Sequence, residues 1–241
     1  ICRKDRTDKE PPALIAKLLG YGVLSCLPAI VVELILSAII ERLNVRNVYL
    51  GYFLEAFVVA GLTEETCKFL FLRTTWRNPA FDYQFDAIVY AVMVALGFAA
   101  FENVKYVYSY GFATGIVRAV TAVPGHAIFG VFMGYFYGYA KLSDYWGRDD
   151  DRKAYLALSV VVPVLMHGCY DFLAFTQESD SRFTLLFYAY LVALYVFGIR
   201  RVNRSSRDDR RVTRETVFDY FRRMQYPMPP QYRDRDDDFW R

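Results

Sequence analysis

Four polar clusters interrupt otherwise apolar stretches of this 241-residue chain. They are Glu64-Glu65-x-x-Lys68, Phe101-Glu102 through Tyr106, His126 four residues before Gly130, and His167 four residues before Asp171. The chain has two histidines, and both lie in these clusters. Carboxylates and imidazoles together can activate water against a carbonyl, one group taking the proton and others polarising or holding the reacting centre. Adjacent Glu64 and Glu65 would point about 100° apart on a helix, so one can face a reaction centre while the other serves a neighbouring helix. Lys68 lies one turn beyond Glu64 on the same face. Tyr106 stands likewise to Glu102, and Asp171 to His167. The structural alternatives are a buried ion-pair cluster for Glu64, Glu65 and Lys68, and hydrogen-bonding core histidines for His126 and His167. An ionisable group at mid-span costs about 2.5–3.5 kcal/mol to insert. That cost argues that these groups face one another rather than lipid.

The elements that must position them are apolar runs separated by short charged stretches. The composition is 55% hydrophobic and 18% aromatic. Six runs are long enough to cross a bilayer: 13–40, 48–72, 86–108, 115–140, 154–176 and 182–199. About 20 mostly apolar residues suffice for a helical span, and helices satisfy their own backbone in lipid. The expected fold class is therefore all-α, a polytopic transmembrane helix bundle. Gly20, Gly22 and Pro28 are places where the first span can bend or break. Gly130, Gly134 and Gly138 form a small-residue strip behind His126 along which another helix can approach closely. Asp86, at the start of the third run, has the position of a helix cap. Lys105 is expected to snorkel toward the boundary. Glu33 and Glu55 lie in spans without belonging to a motif, as structural groups or as the lining of a water path.

Charge is unevenly placed. Arg3, Lys4, Arg6, Lys9, Arg73, Arg77, Lys141, Arg148, Arg152, Lys153, Arg200, Arg201 and Arg204 fall on one side of a six-span arrangement. Arg42, Arg46, Arg118 and Arg182 fall on the other. The positive-inside rule then puts the visible N-terminal end and the C-terminus in the cytoplasm of a multi-pass cell-membrane protein. The chain begins with Ile1, and Ile1 through Asp5 reads as the cytoplasmic end of an earlier helix, so a seventh, N-terminal span is expected. Residues 1–203 form the membrane domain. Residues 204–241 form a charged cytosolic tail in which Val212, Val217, Phe218, Phe221 and Met224 mark a short amphipathic helix. Asp interleaves the tail arginines, which argues against nucleic acid as a partner. The lipid bilayer is a partner by construction, and the oligomeric state is not legible. The cysteines have no metal-ligand or disulfide spacing.

At Glu64-Glu65-Thr66-Cys67-Lys68, Phe85-Asp86-Ala87-Ile88-Val89-Tyr90, Phe101-Glu102 through Tyr106, His126 through Gly130 and His167 through Asp171, the chain resembles the PrsW family of intramembrane proteases. The resemblance covers roughly residues 3–200. Ala87 departs from it, standing where a glycine is common. The resemblance implies cleavage of a membrane-anchored protein near the extracytoplasmic surface. The family's known example cleaves an anti-sigma factor in regulated proteolysis. The wider superfamily holds the CAAX prenyl endopeptidases and also a non-catalytic gamma-secretase subunit, so fold alone does not decide activity.

On these grounds the expected function is an intramembrane endopeptidase, with Glu64, Glu65, Glu102, His126, His167 and Asp171 as catalytic candidates. Either Glu64 or Glu65 would be the general base, Glu65 being the alternate if Glu64 pairs with Lys68. His126 and His167, with Glu102 or Asp171, are the candidate ligands of a zinc ion with an open position for water. The metal-free alternative keeps the glutamate as base, orients water through His126 and stabilises the oxyanion through His167 and Asp171. A scaffold, receptor or proton-coupled transporter on the same fold is the non-protease alternative, although no internal repeat of the transporter kind is visible.

Overall fold

The computed structural model describes Cys2 and residues 10–212. The tail residues Val217, Phe218, Phe221 and Met224 and the basic residues before position 10 lie outside this range. Helix α1 (Pro12–Arg42) opens with proline in its first turn, where the missing N–H costs nothing. α2 (Val48–Phe53), a π-helical stretch (Leu54–Leu62) and α3 (Thr63–Leu72) follow one another without a break, and a 3-10 turn (Arg73–Thr75) closes the run. α4 (Asp86–Tyr110), α5 (Phe112–Val120), α6 (Ala122–Tyr145), α7 (Asp149–Ser179) and α8 (Arg182–Ser205) complete the bundle.

Among the described residues, five helical segments are long and apolar enough to cross a membrane: α1, α4, the pair α5–α6, α7 and α8. The second expected span, 48–72, is helical throughout but changes type at Leu54 and again at Thr63. The fourth differs from expectation in another way. Its helix halts at Thr121 and restarts, because Pro124 cannot donate the hydrogen bond that would join the two turns. Pro28, by contrast, does not interrupt α1. The first span packs tightly against α4, where a Cβ on Gly22 would collide with the Val94 carbonyl and one on Gly97 with that of Leu19.

α4 is the axis of the molecule. Of its most apolar window 72% is buried, against 17% for α1, 28% for α7 and 22% for α8. α1 and α6 pack directly on it, α7 and α8 pack on α6, and α1, α7 and α8 present apolar surface outward. Leu34, Leu185, Val192 and Phe197 are among the large apolar side chains left exposed, as a lipid-facing surface requires. The glycine strip works as its spacing suggests. Side chains at Gly130, Gly134 and Gly138 would strike, in turn, Ala91 and Val92, Ala87 and Ile88, and Gln84 of α4. Ala87 is tolerated because Gly138 faces it; an added Cβ there would stand 3.3 Å from that of Ala87.

Asp86 is buried and accepts hydrogen bonds from the backbone N–H groups of Asp82 and Tyr83, at 3.1 and 2.7 Å. It therefore fastens the preceding loop rather than capping its own helix. The expected boundary at residue 203 falls inside α8. The segment after α8 folds back on that same loop: Gln84 N–H donates to the Arg210 carbonyl at 2.8 Å, Val212 N–H to that of Asp82 at 2.8 Å, and Val212 is buried in the core.

Candidate active site

Four elements bring the flagged residues together. α3 carries Glu64, Glu65 and Lys68, α4 carries Glu102, α6 carries His126, and α7 carries His167 and Asp171. All except Asp171 are buried, Glu65 and Lys68 completely. Lys68 Nζ donates to Glu65 Oε1 at 2.7 Å and to Glu64 Oε2 at 3.1 Å. It also lies 3.1 Å from His126 Nδ1 and 4.0 Å from the centre of the Phe98 ring. Both glutamates thus share one ammonium, so pairing with Lys68 does not distinguish them. Position does: Glu64 lines a cavity of about 370 Å³ and Glu65 does not.

Each histidine is held at both ring nitrogens. His126 Nε2 is 2.9 Å from Glu102 Oε2, and its Nδ1 faces the Lys68 ammonium. A lysine can only donate and a carboxylate only accept, so these partners select the tautomer with the proton on Nε2. His167 Nδ1 is 2.9 Å from Glu65 Oε1 and its Nε2 3.2 Å from Asp171 Oδ2. The two imidazoles meet edge to face with centres 5.0 Å apart, and Phe129 stacks on His167 at 5.0 Å.

The His167–Asp171 pair that spacing suggested is therefore present, and three-dimensional structure adds the Glu102–His126 and Glu65–His167 pairs and Arg118. Its guanidinium reaches from α5 to within 2.9 Å of Glu102 Oε2 and lies 3.6 Å from the centre of the Tyr106 ring. In the sequence it counted only as a charge near a loop. Its place next to an apolar run was the signal that would have flagged it, as it flagged the others. Tyr106 accordingly joins Glu102 through Arg118. Glu33, Glu55 and Lys105 line the same cavity, Glu55 accepting from Ser37 Oγ at 3.2 Å, so the two unassigned glutamates belong to its wall.

Glu64, Glu65, His126 and His167 each offer one donor atom within 4.8 Å of the others. Two imidazoles and two carboxylates are a donor set that suits zinc. Glu65 Oε2, buried and without a hydrogen-bond partner among the described residues, is a free lone pair at that point. Glu102 and Asp171, also expected as ligands, stand 2.9 and 3.2 Å from Nε2 of His126 and His167, the place from which outer carboxylates orient metal-binding imidazoles. Lys68 contacts three of the four donors, so its ammonium and a metal ion would compete for the same lone pairs.

The profile described as "PrsW family intramembrane metalloprotease" matches residues 10–199. The chain belongs to the PrsW family. It is 34% identical over 203 residues to Protease PrsW of Bacillus subtilis (strain 168), covering 84% of this chain and 87% of that protein. To Protease PrsW of Oceanobacillus iheyensis it is 34% identical over 198 residues, covering 82% and 85%. To that of Clostridioides difficile (strain 630) it is 30% identical over 214 residues, covering 87% and 86%. No solved structure gave a significant match. As a PrsW-family member the chain is an intramembrane protease, acting on protein from within a membrane.

Proposed function

We propose that this PrsW-family protease hydrolyses a peptide bond of a membrane-anchored protein inside the 370 Å³ cavity, with Glu64 as general base. The observation that carries the reading is that Glu64 alone of the adjacent pair faces the cavity, beside both histidines. Glu64 accepts a proton from the attacking water and passes it to the leaving amine. His126, fixed in one tautomer by Glu102 and Lys68, orients the water or the carbonyl oxygen. His167, held by Glu65 and Asp171, supports the oxyanion. Glu65 and Lys68 keep the constellation assembled. If a zinc ion binds, Glu65, His126 and His167 are the residues that would hold it, leaving Glu64 to act on the water, and it would supply Lewis acidity and a more acidic water.

The cavity sits toward the ends where α4 finishes and α6 begins, away from the basic loops, and we assign that end to the extracytoplasmic side with the described termini cytoplasmic. The substrate class that fits this site and family is a membrane-anchored regulator such as an anti-sigma factor. The test is cleavage of a single-pass reporter with a tagged extracytoplasmic stub in proteoliposomes. Wild type releases the stub and Glu64→Gln does not. Release by Glu64→Gln at the wild-type rate would refute Glu64 as base.

A further inference from the structure

At the end of the bundle opposite the active site, a second cavity of about 270 Å³ opens where α4 starts and α6 and α8 finish. Gln84, Tyr135, Tyr139, Arg201, Arg204 and Arg210 line it. One acidic side chain, Asp208, joins them and lies 3.6 Å from Arg204. Arg201 lies over Tyr135, 4.1 Å from the ring centre, an arrangement that holds a guanidinium in place while leaving its N–H groups free to donate. Neither Arg201 nor Arg210 is in an ion pair among the described residues. The segment after α8 forms one wall and is built in rather than draped. Phe85 N–H donates to Asp209 Oδ1 at 2.9 Å, in addition to the Gln84–Arg210 backbone bond.

The same three helices carry an apolar slot of about 650 Å³, one turn further into the bundle. Its walls include Val92, Leu96, Ala127, Val131, Gly198 and Val202. Ile88 of the basic cavity leads to Val92 of the slot, Tyr135 to Val131, and Arg201 to Gly198. Each is a step of three or four residues, or about 5–6 Å along a helix. A basic, aromatic-backed recess thus lies next to an apolar slot along the same three helices.

We propose that this composite site binds an anionic phospholipid, its phosphate held by Arg201, Arg204 and Arg210 and an acyl chain lying in the slot. Charge selects the headgroup. Three guanidiniums against one carboxylate favour a net negative ligand, and arginine donates in pairs to phosphate oxygens. The slot selects a lipid over a soluble phosphate, because it adds apolar area that only an acyl chain fills. The chemistry of this site is independent of the proteolytic reading.

Native mass spectrometry of the detergent-purified chain tests it, titrating phosphatidylglycerol, phosphatidylcholine with the same acyl chains, and inorganic phosphate. Phosphatidylglycerol should bind at least tenfold more tightly than phosphatidylcholine and should survive millimolar phosphate. Arg201→Gln/Arg204→Gln should lose that preference about tenfold. Arg201→Lys/Arg204→Lys should keep part of it, and Arg148→Gln/Arg152→Gln, at the start of α7 and outside the lining of this cavity, should keep all of it. Equal binding of the two lipids, or an unchanged preference in Arg201→Gln/Arg204→Gln, would overturn the proposal. Displacement by phosphate alone would overturn the lipid assignment in favour of a soluble phosphate ligand. If the glutamine variant cannot be purified, a photoactivatable phosphatidylglycerol on wild type decides the matter. Labelling confined to the slot residues of α4, α6 and α8 supports the site, and labelling elsewhere refutes it.

Discussion

Glu65 is fully enclosed and touches Lys68 and His167, whereas Glu64 shares Lys68 but looks into the cavity. Their substitutions should therefore separate. Glu64→Gln keeps shape and leaves Lys68 bonded to Glu65, so it should fold normally and lose on the order of 10²- to 10⁴-fold in turnover, the usual contribution of a general base. Glu65→Ala removes a partner from a buried ion pair and should destabilise by roughly 3–5 kcal/mol, read by SDS-titration unfolding. Arg118 acts through Glu102 and is a positioning residue. Arg118→Gln should lower kcat with little change in KM, and Arg118→Lys should restore much of it; equal loss in both variants would mean that charge alone is insufficient. Lys68 competes with any metal for the lone pairs of Glu64, Glu65 and His126. Lys68→Met should therefore raise zinc affinity at least tenfold in a chelator-competition assay. Unchanged affinity would show that the ammonium and the metal do not share the site.

Close contact between α4 and α6 sets the distance from Glu102 to His126, and glycines allow it. A methyl group on Gly134 would strike the Ala87 carbonyl and the Ile88 Cα, both backbone atoms that cannot swing away. Gly134→Ala should cost about 1–3 kcal/mol, the range for overpacking, and should lower activity by moving His126. Gly20, on α1, has nothing within 4 Å of an added Cβ, so Gly20→Ala should be neutral or slightly stabilising in the same unfolding assay. The π-helical stretch before α3 is the other device at this scale. Such stretches concentrate at functional sites, and this one ends beside Glu64 and seats Gly61 against the backbone of Val164 and Gly168 on α7. Nothing in an apolar run announces it, because π and α turns bury the same residue types.

For the molecule as a whole, the active-site cavity and the basic cavity lie at opposite ends of one bundle, and the orientation proposed from the loop charges has a direct test. In a cysteine-free background, Tyr110→Cys at the α4–α5 turn should react with an impermeant maleimide in intact cells. Trp146→Cys, after α6, should react only once the membrane is opened. Both native side chains are well exposed, 71% and 64%, so access depends on the side of the membrane. The reverse pattern would invert the assigned orientation and place the protease chemistry at the cytoplasmic face.

Much of this architecture was written in the chain itself. Apolar runs of bilayer length dictate helices, because lipid offers the backbone no other partner. Glycines four apart dictate where α4 can approach α6. The cost of stranding charge in lipid dictated that Glu64, Glu65, Glu102, His126, His167 and Asp171 should turn inward toward one another. What spacing along one helix does not contain is the relation between helices. Only the packing of α3 against α6 and α7 put Lys68 among the donors, assigned Glu102 and Asp171 to the outer nitrogens of the histidines and turned Glu64 rather than Glu65 to the cavity. Only the break at Thr121 brought Arg118 over Tyr106 and onto Glu102. Those choices depend on rotation and register between elements far apart in sequence, which local periodicity leaves free and a packed bundle fixes.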